Sequence, residues 1–239
     1  MTEQTDLTTL GTDAEALARA LVDLRDLTIQ KARIQFGNRL SAIERGADQR
    51  NHQDVIERWH ATFEQLEREL DADIRTLSDD LPIVAYMTAV RGVGPLLAVK
   101  VAAMIDIHRA ETVSALWRYA GYAVMDGERE RPVKGEKRHY NARLKTACYL
   151  IGTSFLKTGS PYRQVYDDAR AYYEANRPDW TKGHQHNAAM RKMIKMWLSH
   201  LWQVWRALEG EPIPPPYAHQ MLGHNHYYSP QDFGWPDVP

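Results

Sequence analysis

"RGVGPLLAVKVAAMIDI", residues 91–107, decides how this chain is read. Gly92, Gly94 and Pro95 stand directly before an apolar run, and the apolar stretch "PIVAYMTAV", 82–90, precedes them. Glycine reaches backbone angles that other residues avoid, and proline suits the first position of a helix. The stretch therefore predicts a short helix, a tight turn and a second helix, with Ala98, Ala102 and Ala103 letting the two approach closely. Two readings of the turn stand side by side. Either the glycines serve helix packing, or the amides at the start of the second helix receive a phosphate, where the macrodipole is positive. Arg91, Gly92 and Gly94 are the candidate contacts in the second reading.

Downstream the helical pattern continues. "TVSALWRYAGY" reads as a helix stopped by Gly121, and the polar stretch 124–140 reads as a loop or a short hairpin. "NARLKTACYLIGTSFLKTG" is a further helix. "SPYRQVYDDARAYYEAN" has Ser160 placed as an N-cap and Pro161 at the first helical position. In "HNAAMRKMIKMWLSHLWQVWRAL", Met193, Trp197, Leu201, Val204 and Leu208 form one stripe, with Met190, Ile194 and Leu198 beside it, so this helix faces a core. Arg191, Lys192 and Lys195 then lie near a helix start, where positive charge opposes the dipole and a bound anion would relieve the cost.

Upstream, Leu17, Leu21, Leu24, Leu27, Ile34 and Leu40 recur through 13–43, and "RGADQRN" interrupts. Ile56, Trp59, Phe63, Leu66, Leu70, Ile74 and Leu77 follow at steps of three and four, the seam of a coiled coil. The expected fold is all-α. Its parts are an antiparallel coiled-coil hairpin over 1–80, a compact helical domain over 81–209, and a Pro/aromatic tail over 210–239. The tail is expected to dock through Tyr217, Tyr227, Tyr228, Phe233 and Trp235, because unanchored tails are usually poorer in aromatic residues.

Charge divides along the chain. Residues 1–90 hold 10 Lys and Arg against 17 Asp and Glu, whereas 91–206 hold 20 against 10. A near-neutral protein with a basic middle points to a polyanionic partner. The segment 128–145 concentrates Arg129, Arg131, Lys134, Lys137, Arg138, Arg143 and Lys145, with His139 and Tyr140 able to stack on unpaired bases. Lys182, Arg191, Lys192 and Lys195 form a second patch, joined by His184 and His186. One cysteine, Cys148, supports neither a disulfide framework nor a cysteine zinc site. The ten histidines show no His/Glu helical pair of metal-binding spacing, so no metal or other cofactor is expected. No apolar run spans a bilayer, and the acidic N-terminus does not resemble a signal peptide, so a cytoplasmic location is expected.

The glycine turn of 91–95 has the signature of helix–hairpin–helix modules, which grip nucleic-acid backbone rather than base edges. The order "RGVGPLLAVKVAAMIDI", "SALWRYAGY", "KRHYNARLKTACYLIG", "SPYRQVYDDAR" resembles the C-terminal domain of bridge-RNA-guided insertion-sequence transposases, over about residues 85–206. Gly92, Gly94 and Pro95 match that family's glycine turn; Tyr119, Ala120 and Gly121 match its YAG motif; Lys137, Arg138, Asn141, Arg143, Leu144 and Lys145 match its basic helix. Two departures separate this chain from those enzymes. Residues 1–80 lack the strand pattern of their acidic nuclease domain, and 122–140 contain no serine or threonine where their nucleophile is placed. Ser114, Ser154 and Ser160 remain as poor substitutes, so no catalytic residue is assigned.

The layout of helical hairpin plus compact helical domain is similar to Nop-domain proteins of box C/D ribonucleoproteins, and to TIGR-associated (Tas) proteins that lack a nuclease domain. These resemblances imply a guide-RNA-binding protein that directs RNA to target DNA and does not cut it; the coiled-coil stalk suits spacing or dimerising, and a homodimer is expected. The alternatives are a transposase or recombinase acting on DNA, and a dimeric structural adaptor whose basic face is incidental.

Overall fold

A computed structural model describes residues 7–47, 52–125, 128–129, 135, 138–214 and 228–239. The fold is all-α, and the chain divides into two compact units, Met1–Leu81 and Pro82–Pro239.

The first unit is a helical hairpin. Its first arm is α1 (Leu7–Leu24), a π-helical turn (Arg25–Ile29) and α2 (Gln30–Glu44); its second is α3 (Gln53–Thr76). The arms run antiparallel: Phe36 meets Phe63, Arg33 pairs with Glu67, and Arg25 reaches Asp71. A π turn adds one residue to the helical repeat and rotates the helix beyond it. Here it aims the Arg25 guanidinium inward, onto Glu67 at 2.6 Å, Asp71 at 2.7 Å and Asp26 at 3.0 Å.

The seam expected along α3 is therefore only partly internal. Ile56, Ile74 and Leu77 are buried, but Trp59 and Leu66 are exposed, and Glu67 takes an interior position. Leu17, Leu24, Leu27 and Ile34 on the other arm are exposed as well. The seven-residue pattern is wider than one partner helix covers, and the buried ion cluster occupies part of the interior that a purely apolar seam would fill.

The second unit is built on α9 (Lys182–Leu208). Around it pack α4 (Pro82–Ala89), α6 (Val113–Tyr119), α7 (Ala142–Thr158), α8 (Tyr162–Asn176) and a 3₁₀ turn at Ile107–Arg109; α5 (Pro95–Met104) packs on α4 and α7. Met190, Met193, Ile194, Trp197, Leu198, Leu201 and Val204 are buried as the stripe requires, and Trp202 and Trp205 are buried too. The Trp202 indole donates to the Ala110 carbonyl at 2.6 Å, and Arg206 reaches the Ile107 and Ala110 carbonyls and Pro212. Residues 124–140 begin as a short antiparallel ribbon, Val124–Met125 (β1) against Glu128–Arg129 (β2).

Two expectations change. Ser160 does not cap α8 with its hydroxyl: the helix starts at Tyr162, and the Ser160 Oγ is buried without a hydrogen-bond partner among the described residues. The left-handed Gly159 that ends α7 turns the serine side chain into the core instead. The last helix also starts earlier than 186, capped by Thr181, whose Oγ1 accepts from the His184 amide. Arg191, Lys192 and Lys195 are thus in mid-helix, and only Lys182 meets the dipole, whose effect fades within a turn.

The C-terminal residues dock on the second unit. Phe233 and Trp235 are buried, whereas Tyr228 is exposed; Tyr217 and Tyr227 lie outside the described residues. The Trp235 indole donates to the Tyr162 oxygen at 2.7 Å, the Tyr162 hydroxyl donates to His200 Nδ1 at 2.6 Å, and His200 Nε2–H donates to the Tyr228 carbonyl at 3.1 Å. Burial pushes the His200 imidazolium pKa down to about 4, although the Tyr228 carbonyl and Asp232 favour its charge.

Gly92 has φ +102°, and a Cβ there would lie 2.7 Å from Thr158 Oγ1 and 3.1 Å from the Phe155 ring. Gly94, at φ −90°, faces open space. Gly92→Ala should cost about 2–4 kcal/mol through strain and overpacking, and Gly94→Ala at most about 1 kcal/mol at an N-cap; urea unfolding of the two variants measures both. The unfolded chain protonates His200 near 6.5 and the folded one near 4, so stability complete above pH 6.5 is lost as pH falls toward 4. The loss should approach about 3 kcal/mol, seen first as faster amide exchange in 228–239.

Candidate nucleic-acid interface

Two of the sequence motifs meet at the start of α7. The Asn141 side chain caps this helix, its Oδ1 accepting from the amides of Arg143 and Leu144 at 3.1 Å. Asn141 also ties to Tyr119: its backbone amide donates to the Tyr119 carbonyl at 2.8 Å, and its Nδ2 donates to the Tyr119 hydroxyl at 3.1 Å. That hydroxyl in turn donates to the Met104 carbonyl. Gly121, at φ +73°, leaves room for the Tyr140 ring, which would sit 2.7 Å from a Cβ at this position. The Lys145 ammonium lies 4.3 Å from the Tyr140 centroid, and the Tyr122 hydroxyl donates to the Lys145 carbonyl. The YAG motif and the Asn-led helix therefore form one locked corner.

The same corner gathers part of the second basic patch. The Trp117 indole donates to the Lys195 carbonyl at 3.0 Å, and the Lys195 ammonium sits 3.8 Å above the Trp117 ring. Arg191 is close enough to act electrostatically on both Tyr122 and Lys195. Burial lowers the Lys195 pKa, and the positive Arg191 lowers it further. Burial also raises the Tyr122 phenol, so it stays a neutral donor. The supporting helices α6, α7 and α9 contain no Asp or Glu of their own.

The remaining expected residues are spread more widely. Arg138 and His139 are exposed just before α7, and Tyr140, Asn141, Arg143 and Lys145 are half-buried at its start. Tyr140 has one face under Lys145, which leaves less of it for stacking than the sequence suggested. Arg131, Lys134 and Lys137 lie outside the described residues, and Arg129 is described only as backbone in β2. Lys192 is exposed; Arg191 and Lys195 are half-buried. Arg91 is exposed beside Gly92 and Gly94, but this turn packs on Thr158, the last residue of α7. The basic corner is at the other end of that 17-residue helix, about 20 Å away. Lys182 is likewise about 20 Å along α9 from Lys195.

Ser114 is exposed, Ser154 half-buried and Ser160 buried, and no hydrogen bond joins any of the three hydroxyls to a general base among the described residues. His184 stacks on Trp180, and His186 Nδ1 bonds the Tyr166 hydroxyl at 2.7 Å. Sequence reasoning missed Trp117 and Tyr122 as supports of the face, because their partners are 78 and 23 residues away. It also passed over Trp180, although Tyr172, Tyr173 and Trp180 flank Pro178 and already mark an aromatic turn. Compared with protein-family models, curated proteins and solved structures, the chain finds no match.

Proposed function

We propose that this protein binds a guide RNA, whose base pairing directs it to DNA, and that it does not itself cut the strand. The observation that carries the reading is the basic corner of α6, α7 and α9, where Lys145 lies over Tyr140, Lys195 over Trp117, and Arg191 close to both Tyr122 and Lys195. Burial, and after it the positive Arg191, disfavour the charge on Lys195. A phosphate chain would relieve the repulsion and release counterions. RNA as the polyanion, and pairing as the source of specificity, rest on the resemblance of residues 85–206 to RNA-guided proteins.

The same reading includes a homodimer formed through the first unit. Leu17, Leu24, Leu27 and Ile34 on one arm, with Trp59 and Leu66 on the other, remain exposed at coiled-coil spacings. A second copy presents the same rows and can cover them. The net-negative charge of 1–90 makes this unit a poor seat for nucleic acid.

RNA of defined length should accompany the protein through purification. Replacing Arg138, Lys145, Arg191 and Lys192 together by Ala should flatten the dependence of log K on log salt by about 0.7 for each phosphate no longer neutralised, measured by fluorescence anisotropy. An unchanged slope removes this face as the binding surface. Metal-dependent nicking by the pure protein would transfer the assignment to the recombinase reading, and a nucleic-acid-free dimer would transfer it to the adaptor. Trp59→Glu with Leu66→Glu should raise the dimer dissociation constant at least about 100-fold in sedimentation equilibrium; a wild-type monomer ends the dimer reading.

A further inference from the structure

We propose that the corner between α8 and α9 holds one unpaired nucleobase of the bound strand on an aromatic stack. This inference rests on the nucleic-acid reading above and names a second seat for the strand, distinct from the α6–α7–α9 face.

The stack is continuous. The Tyr173 and Trp180 rings lie 5.4 Å apart at 29°, and the Trp180 and His184 rings lie 3.9 Å apart at 2°. Tyr172 meets Tyr173 edge-on. None of these rings belongs to the core: Tyr173 and Trp180 are half-buried, and Tyr172 and His184 are exposed. A simpler account is a staple closing the start of α9, since Trp180 precedes the Thr181 cap and His184 lies in the first turn. A staple, however, joins two apolar side chains so that both leave water. Here the imidazole that continues the indole stack is itself exposed. Flat, parallel rings ending on an exposed one are what a base needs, and every base has a matching π face.

The surrounding charges select the ligand class. Arg177 lies 5.6 Å from the Trp180 centroid and is exposed, as is Lys182. Arg170 is committed to Glu174 and to the Lys182 carbonyl. Asp179 is the other carboxylate at the corner. A methylammonium ligand would require rings set around a cation, and here the three principal rings are nearly parallel. A planar group bearing a phosphate fits the parallel rings together with Arg177 and Lys182.

The test uses the full chain and a 12-nucleotide single-stranded RNA carrying 2-aminopurine, beside a blunt RNA duplex of equal length. Trp180→Ala should weaken single-strand binding by about 5- to 100-fold and abolish the quenching of 2-aminopurine on binding. The salt slope should stay as in the wild type, because no cation is removed. Trp180→Phe should restore most of the affinity. His184→Ala, an exposed change to a better helix former, should weaken the single strand without touching the duplex. Wild-type affinity for the single strand in both alanine variants overturns the inference, as does an equal loss for single strand and duplex. Failure of the wild-type protein to bind either RNA instead removes the nucleic-acid reading itself.

Discussion

The second unit depends on the burial of α9, which leaves no residue exposed from Met193 to Leu208. A helix wrapped on several sides must give each polar group in its buried stretch a partner, since an unmade hydrogen bond in the interior costs about 1–3 kcal/mol. His200 is satisfied by Tyr162 and Tyr228, Gln185 by the Arg177 carbonyl, and Arg206 by the Ile107, Ala110 and Pro212 carbonyls. Trp197 is the exception, its indole nitrogen buried without a partner among the described residues. With the far half of the helix so committed, its other cations emerge only in the first half. Lys182 stands at the start, and Arg191, Lys192 and Lys195 stand beside α6. The position of the basic face is thus a by-product of how the core closes.

That corner also shows how a motif can be read for chemistry and turn out to hold architecture. Tyr119, Gly121, Tyr140 and Asn141 fit one another: a phenol bonded to a carbonyl and an amide, a glycine vacating space for a ring, and an asparagine capping a helix. Each of these residues is used up internally. Exposed positive charge is left to neighbours, Arg138 and Lys192 above all. Gly92 belongs with the architecture too, because Thr158 and Phe155 occupy the space a side chain would need. Gly94, with open space before it, is the half of the turn that keeps room for a ligand.

The all-α class and the core stripe of α9 were legible because both rest on periodicity, which a sequence displays directly. The N-cap at Asn141 carries a local signal of the same kind, a polar residue before an apolar helical pattern, but the sequence reading took Asn141 only as a motif and contact residue. The assignment of Ser160 as a cap used equally good local grounds and failed, because the left-handed residue before it redirected the side chain. The approach of Arg191 and Lys195 to this corner was not legible: it depends on Trp117 and Tyr122 reaching across the fold. The separation of about 20 Å between the glycine turn and the basic corner was hidden for the same reason. The glycine turn and the basic corner meet opposite ends of α7.

The hairpin of the first unit raises the complementary question of why an interior position is given to Glu67. A buried ion cluster seldom stabilises more than well-packed apolar residues would, whereas removing one partner costs about 3–5 kcal/mol. What the cluster supplies is register. Arg25 can meet Glu67 and Asp71 together, and Arg33 can meet Glu67, in only one alignment of the two arms. A slide of one helical turn along an otherwise regular pattern of leucine and isoleucine would change little apolar contact but would strand the Arg25 guanidinium away from water. The π turn belongs to the same device, because it brings Arg25 round to the interior while leaving Leu24 and Leu27 outside. The exposed apolar rows of the hairpin are therefore a consequence of fixing its register, and a partner that covers them meets one fixed surface.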